Sequence, residues 1–178
     1  MELKGSKTEE NLRRAFSGES EATNKYTYYA EIAKRNGYEQ IAEFFTYTAN
    51  NEREHARLWF KLLDALPIDT SINLNNAALS ENYEHSEMYP EFAKVAMEEG
   101  FEAIAKKFMQ IAQIERYHEE RFLALLDNVK LDEVFKKSDV VFWECRNCGH
   151  IEMGLEAPKV CVVCGFKQGY YQVKSENY

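Results

Sequence analysis

Two stretches of this sequence match each other and decide the fold: GYEQIAEFFTYTANNEREH at residues 37–55 and GFEAIAKKFMQIAQIERYH at residues 100–118. The second begins 63 residues after the first, and the match includes polar as well as apolar positions. Such agreement indicates an internal repeat. In both stretches the apolar residues recur at helical spacing behind a glycine, which is typical of a helix that follows a tight turn. The sequence therefore predicts two related helical hairpins.

Helical periodicity runs from about residue 7 to 128, with breaks at residues 36–37, 67–76 and 99–100. Four long helices follow, and the short glycine turns make the helices of each pair antiparallel. The 13 residues from 67 to 79 reach about 43 Å when extended, and a helix of about 27 residues is about 40 Å long. We therefore predict a mainly α fold, a four-helix bundle with one long crossover. Pro90 falls inside the third helix and should kink or loosen it.

Composition excludes several classes of partner. Thirty acidic residues against 22 basic ones give a net charge of -8, which disfavours nucleic acid and anionic membranes. No stretch approaches the roughly 18 uninterrupted apolar residues of a membrane helix. The opening MELKGSKTEEN also lacks the apolar core of a signal peptide. We therefore expect a cytoplasmic protein with no nucleic-acid or membrane partner.

The second and fourth predicted helices each place a Glu-x-x-His pair on an otherwise apolar face. An ionised carboxylate among apolar side chains is costly unless it is paired or bound to a metal. One such pair is usually a solvated polar pair, but two copies in the same register favour a metal site. The two stripes are Phe45, Thr48, Glu52, His55, Trp59, Leu62 and Leu66, and Ile104, Phe108, Ile111, Glu115, His118, Phe122 and Leu125.

The other two helices supply carboxylates at the same height. Glu19 lies 18 residues before the first glycine turn, and Glu84 lies 16 before the second, with Glu81 one turn away. One Glu from each of two helices, with Glu-x-x-His from each of the other two, is the ligand set of di-iron and di-manganese bundles. Glu21 competes with Glu19, because the 63-residue offset maps Glu21 onto Glu84, but the apolar stripe of the first helix favours Glu19.

Four other side chains need an assignment. His85 and His150 fit neither stripe nor the cysteine cluster, so we expect both to be solvent-exposed. Tyr26 and Tyr89 lie one to two turns beyond carboxylates of the first and third helices. Core packing is the default for such tyrosines, and a hydrogen bond to a metal-ligand carboxylate is the functional alternative.

All four cysteines lie near the end of the chain, as Cys145-x-x-Cys148 and Cys161-x-x-Cys164. Paired thiolates with following glycines form two knuckles around one tetrahedral ion, and the spacing leaves zinc and iron open. A domain this small needs a metal and an apolar shell. The shell candidates are Trp143, Phe166, Tyr170 and Tyr171.

At this point the chain resembles the rubrerythrin family. The motifs that carry the resemblance are AFSGES, NEREHA, ENYEHSEMYP, IERYHEERF and WECRNCG followed by CVVCG. The resemblance implies a ferritin-like di-iron bundle at residues 1–138 and a rubredoxin-like four-cysteine iron domain at residues 139–178. One departure is Val162, where rubredoxin-like sites usually have proline, and it bears on knuckle rigidity and reduction potential.

The resemblance also implies roles for individual residues. His55 alternates with Glu84 as one iron shifts between oxidation states, and Tyr26 and Tyr89 hydrogen-bond ligand carboxylates. The rubredoxin-like iron is held by Cys145, Cys148, Cys161 and Cys164. The implied di-iron ligands are Glu19, Glu52, His55, Glu81, Glu84, Glu115 and His118.

The activity implied is that of a peroxidase that reduces hydrogen peroxide to water. Electrons would come from an external NADH-linked donor protein and pass through the rubredoxin-like iron. A head-to-tail homodimer is implied, in which the cysteine domain of one chain serves the bundle of the other. Two alternatives remain: a ferritin-like iron oxidase or store, and a non-enzymatic zinc-ribbon interaction protein.

Overall fold

A computed structural model describes residues 2–63 and 65–176. The chain forms two compact units, Met1–Ile68 and Asp69–Tyr178, and each is described by itself. In the described part of the chain, no helix is both long enough and apolar enough to cross a membrane.

The first unit is a helical hairpin. Its helices are α1 (Lys7–Arg35) and α2 (Glu39–Leu62). Gly37 adopts a positive φ of 79°, a conformation that an L side chain rarely tolerates. The turn closes with the backbone N–H of Tyr38 donating to the carbonyl of Ala33 at 2.9 Å, as in a glycine-terminated helix end. The predicted glycine turn is confirmed.

The second unit contains a similar hairpin whose first arm is interrupted. A π-helical turn divides this arm, and both of its α-helical parts pack on the last helix. Gly100 has a φ of 84° and terminates the arm as Gly37 does. Pro90 lies at the start of the second part, where its missing N–H accompanies the predicted loosening. The elements are α3 (Thr70–Tyr83), the π turn (Glu84–Met88), α4 (Tyr89–Glu98) and α5 (Glu102–Lys130).

The π turn coincides with one extra residue in the second repeat. Glu19 and Tyr26 are seven positions apart in α1, whereas Glu81 and Tyr89 are eight positions apart in the interrupted arm. A π-helical turn is the usual way in which a helix accommodates a single additional residue. The two hairpins therefore match with an offset of 63 residues after the turn and 62 before it.

The connection between α2 and α3 is shorter than predicted. Asp69 caps α3 by accepting hydrogen bonds from the backbone N–H groups of Ser71 and Ile72, at 2.7 and 3.2 Å. Ten of the thirteen residues expected in the connection are consequently helical. The seven residues that remain, 63–69, extend to about 25 Å. Since α2 has 24 residues and is about 36 Å long, the connection is too short to run its length.

Small residues form the contact between the arms of each hairpin. Among the described helical residues, the buried ones are all alanines except Leu126, because antiparallel helices approach most closely where side chains are small. Larger residues on the predicted core stripes stay exposed, with Leu62, Ile104 and Leu125 at 56, 49 and 44%. The buried alanines are Ala30, Ala33, Ala42, Ala49, Ala56, Ala78, Ala93, Ala96, Ala105 and Ala112.

The cysteines lie in a small antiparallel sheet with strand order β2-β1-β3. Trp143 is fully buried at its centre and donates from Nε1 to the carbonyl of Gly154 at 3.1 Å. Of the predicted apolar shell, Trp143 and Tyr171 are buried, whereas Phe166 and Tyr170 pack against each other near the surface. The first strand begins within the segment predicted as a charged connector. The strands are β1 (Lys136–Cys145), β2 (Ile151–Glu156) and β3 (Tyr171–Val173).

The alanine layer makes a testable demand on α5. Ala105 is 3% exposed and packs against Ala93 and Ala96, so Ala105→Leu should force the arms apart. Overpacking of this kind costs about 1–3 kcal/mol of unfolding free energy. Ala103 is exposed on the same helix, and Ala103→Leu is the matched control. Urea denaturation of the metal-free variants measures the difference, and equal stabilities would contradict the proposed packing role.

Candidate metal centres

One group of possible metal ligands lies in the first hairpin. Glu19 of α1 and the pair Glu52 and His55 of α2 offer ligand atoms that all lie within 4.8 Å of one another. His55 Nδ1 is 2.8 Å from Glu52 Oε2 and 4.0 Å from Glu19 Oε1. The three-residue spacing in α2 places its two ligands on one helix face, towards α1.

A second group reproduces this arrangement in the second hairpin. Glu81 of α3 joins Glu115 and His118 of α5, again with ligand atoms within 4.8 Å of one another. His118 Nδ1 is 2.6 Å from Glu115 Oε2 and 3.8 Å from Glu81 Oε2. The sequence repeat is therefore also a repeat of site geometry.

The electrostatics of the second group fit a bound cation. Burial, followed by the negative charges of Glu115 and Glu84, raises the pKa of Glu81. Carboxylates gathered in this way repel each other, and a cation among them would favour their ionised forms. Carboxylate oxygens with one imidazole nitrogen are also a donor set that suits iron. The residues present therefore fit a metal ion in each group.

Glu84 and the two tyrosines lie around these groups. Glu84 is the first residue of the π turn and is outside the compact group, although its charge acts on Glu81. Burial, followed by the charges of Glu84, Glu115 and Glu81, raises the pKa of Tyr89, so its side chain lies beside these carboxylates. Tyr26 packs on Phe45, with ring centroids 6.2 Å apart.

Glu21 lies apart from the first group. Its carboxylate is exposed and forms an ion pair with Lys25 at 2.5 Å, one helical turn along α1. The uniform 63-residue offset that made Glu21 a candidate is interrupted at the π turn. The structure thus brings Glu19 rather than Glu21 to Glu52 and His55.

The expectation that His85 is a solvated histidine is wrong. Its side chain is only 18% exposed, and its Nε2 lies 2.6 Å from Oε2 of Glu119, which is equally shielded. Asn82 donates from Nδ2 to the other oxygen of Glu119 at 2.9 Å. Sequence reasoning passed over Glu119, although one signal was available: it stands where the first repeat has Ala56. His150, the other unassigned histidine, contacts Glu152 at 3.2 Å.

The four cysteine sulfurs form a separate cluster. The Sγ atoms of Cys145 and Cys164 are 3.7 Å apart, as are those of Cys148 and Cys161. A tetrahedral ion with metal–sulfur bonds of about 2.3 Å requires sulfur–sulfur separations of about 3.8 Å. All four cysteines are free of disulfides. The cluster therefore fits one tetrahedrally bound ion.

Backbone hydrogen bonds shape the two cysteine knuckles in the same way. Gly149 and Gly165 donate to the carbonyls of Cys145 and Cys161, at 2.8 and 2.9 Å. Burial by itself would raise the pKa of the Cys161 thiol, but the backbone N–H groups of Cys164 and Val163 help to lower it below its usual value. Such donors favour the thiolate, which is the metal-binding form.

Comparisons with known proteins agree with this arrangement. A family model described as rubrerythrin matches residues 10–126, and a second, described as the rubredoxin-like domain of rubrerythrin, matches residues 143–172. Rubrerythrin-1 of Clostridium acetobutylicum is 47% identical over 99% of this chain and 98% of its own length. Rubrerythrin of Porphyromonas gingivalis is 44% identical over 99% of this chain and 94% of its own. Rubrerythrin of Nitratidesulfovibrio vulgaris is 42% identical over 99% and 98%.

The family accounts for both kinds of metal group. Its cofactors are a non-haem di-iron pair held by carboxylates and histidines and one iron held by four cysteines. The chain belongs to the rubrerythrin family of di-iron, rubredoxin-like oxidoreductases that act in oxidative stress.

Proposed function

We propose that the chain is a peroxidase that reduces hydrogen peroxide to water, with electrons from an NADH-linked donor protein relayed through the four-cysteine iron. The observation that carries this proposal is the presence, in one chain, of two equivalent carboxylate–histidine groups and a four-sulfur cluster. Two electrons and two protons convert one peroxide into two waters, and two irons supply those electrons, one from each ion. The four-sulfur centre has no counterpart in the needs of an iron store.

The protein's own side chains have distinct tasks in this proposal. Glu19, Glu52, Glu81, Glu115 and His118 hold the irons, and their acidic character offsets the metal charge. Glu84 and His55 are the exchangeable ligands. His55 is half-exposed, which leaves its ring room to move, and Glu84 lies just outside the compact group.

Tyr26 and Tyr89 form the outer part of the proposed site. Tyr89 lies beside the second carboxylate group and donates its hydroxyl proton in a hydrogen bond to one of these ligands. Tyr26 occupies the matching position in the first hairpin, and each tyrosine packs on a phenylalanine. These aromatic rings limit the access of water to the carboxylates.

The four-cysteine centre is suited to receive electrons from outside. Cys148 is exposed, and the neighbouring Val162 and Val163 are 80 and 66% exposed. An exposed sulfur next to a small apolar surface allows close approach of a donor protein. Val162 replaces the usual proline at this surface rather than in the core of the domain.

Metal analysis combined with a peroxide titration tests the central proposal. Protein purified without added metal should contain about three irons per chain, with the red colour of a ferric thiolate site. After full reduction, hydrogen peroxide should reoxidise the carboxylate-bound irons faster than the same concentration of oxygen. Zinc in the four-cysteine site, or reduced protein that consumes oxygen but ignores peroxide, would favour the structural or ferroxidase alternative.

The relay is tested by removing one thiolate from each knuckle. Cys148→Ser/Cys164→Ser should abolish NADH-driven peroxidase turnover, because electrons can no longer enter through this centre. Stopped-flow oxidation of the chemically reduced variant by peroxide should stay at the wild-type rate, since the carboxylate groups are untouched. Wild-type NADH-driven turnover in the variant would exclude the relay.

We further propose that the protein acts as a homodimer in which each di-iron centre combines the first ligand group of one copy with the second group of the other. A ferritin-like bundle needs a crossover along its whole length between the two hairpins. Residues 63–69 reach about 25 Å against the roughly 36 Å of α2. The exposed Leu62, Ile104 and Leu125 on the predicted core stripes offer apolar surface for such a partner. The cysteine domain of one copy then serves a centre shared with the other.

Complementation between two inactive variants tests this dimer. Glu52→Ala disables the first group and Glu115→Ala the second, so each variant alone should lose peroxidase activity. Coexpressed in equal amounts, they should recover about a quarter of wild-type activity, because half of the dimers are mixed and each mixed dimer has one intact centre. Native mass spectrometry measures the mixed dimers. Their presence without any recovered activity would refute the shared centre.

A further inference from the structure

Glu119 joins the interrupted arm of the second hairpin to α5. One of its carboxylate oxygens accepts a hydrogen bond from Asn82 at 2.9 Å, and the other lies 2.6 Å from Nε2 of His85. The side chains of His85 and Glu119 are each 18% exposed. Hydrogen bonds to a charged and shielded carboxylate are stronger than neutral ones, so this contact is a substantial link between the two arms. We call Asn82, His85 and Glu119 the polar tie.

Each member of the polar tie directly follows a proposed iron ligand in the sequence. Successive residues of a helix point about 100° apart, so the tie lies beside the ligand group rather than within it. It can therefore fix the backbone that carries the ligands without occupying their coordination positions. The three neighbouring pairs are Glu81 with Asn82, Glu84 with His85, and His118 with Glu119.

The first hairpin has no equivalent of the polar tie among its described residues. The position that corresponds to Glu119 is Ala56, which is buried and apolar. The position that corresponds to His85 is Ala22 or Thr23, depending on whether the offset of 63 or 62 residues is applied within the turn. The first hairpin also has a regular α1 where the second has its π turn. The tie and the π turn thus occur together, in the same half of the repeat.

The π turn supplies a reason for the tie. A π turn widens the helix and breaks its regular hydrogen-bond ladder, and such turns are frequent at functional sites. Here the turn begins at Glu84, between Glu81 and the tyrosine Tyr89. Because the turn spans His85, a contact from His85 to α5 holds the widened segment at a defined distance from His118.

We propose that the polar tie is a positioning device that holds the π turn against α5, so that Glu81 and Glu84 meet the same metal ion as Glu115 and His118. This inference rests on the proposed di-iron site and adds an asymmetry to it. The second group is preorganised by the tie and binds its metal more tightly than the first group, which has no such support. Glu119, His85 and Asn82 act only through the ligands.

Cobalt(II) binding to metal-free protein tests the inference without measuring turnover. Glu119→Ala should weaken one of the two carboxylate-bound cobalt sites by about 10–100-fold, which is the usual effect of losing a partner of a metal ligand. Calorimetric and visible-absorption titrations measure both sites. The intense thiolate–cobalt bands of the four-cysteine centre should be unchanged and serve as an internal control.

Two further variants separate positioning from general stability. Glu120→Ala removes an exposed carboxylate from the same helix, where it contacts Arg116 at 3.7 Å, and should leave cobalt binding unchanged. Glu119→Gln keeps the shape and a hydrogen-bonding oxygen, and should restore most of the lost affinity. If Glu119→Ala does not fold, His85→Asn breaks the tie while Glu119 remains, and the same loss at one site is expected.

The outcomes distinguish this inference from the proposed function. If wild-type protein binds two carboxylate-held cobalt ions and Glu119→Ala binds them equally well, the tie has no positioning role, whatever the change in unfolding temperature. Equal weakening of both carboxylate sites would also overturn it. If wild-type protein binds no cobalt outside the cysteines, the di-iron site fails and the tie fails with it.

Discussion

Mutual repulsion among ionised carboxylates is the constraint on which the helical part of this protein depends. Each hairpin gathers two glutamates around a histidine in a partly buried position, and the raised pKa of Glu81 is a direct sign of the resulting strain on charge. In the absence of a cation the arrangement favours protonation, and with one it favours full ionisation. Metal binding and the assembly of the helices are therefore linked energetically, because each lowers the free energy of the other.

The structure distributes small and large side chains in a way that serves this linkage. Alanines occupy the contact between the arms of each hairpin, so the helices approach closely and bring ligands from both arms together. Large apolar residues on the predicted core stripes, such as Leu62 and Ile104, are left available for further packing. A hairpin of this kind can form its half of the ligand set from local contacts alone, which favours fast formation of the ligand groups.

The sequence predicts much of this structure because helix period and ligand chemistry act over short distances. The positions of Glu52, His55, Glu115 and His118 follow from a stripe that the structure retains. The start of α3 was missed because an asparagine-rich segment suggests a loop, whereas the Asp69 cap extends the helix through it. The contact of His85 with Glu119 was missed for a different reason. A stripe analysis assumes an unbroken period, and the π turn shifts the phase by one residue between Glu81 and Tyr89. A long-range hydrogen bond that depends on this shift leaves no periodic signal.

The two tryptophans of the chain divide between its two kinds of metal site. Trp143 is completely buried in the core of the cysteine domain, next to Cys145, and Trp59 lies one turn beyond His55 on α2. Iron close to an indole quenches its fluorescence, and each indole sits in the neighbourhood of a different centre. The natural protein thus contains a pair of optical reporters, one for the filling of each type of site, and neither requires a label or an added chromophore.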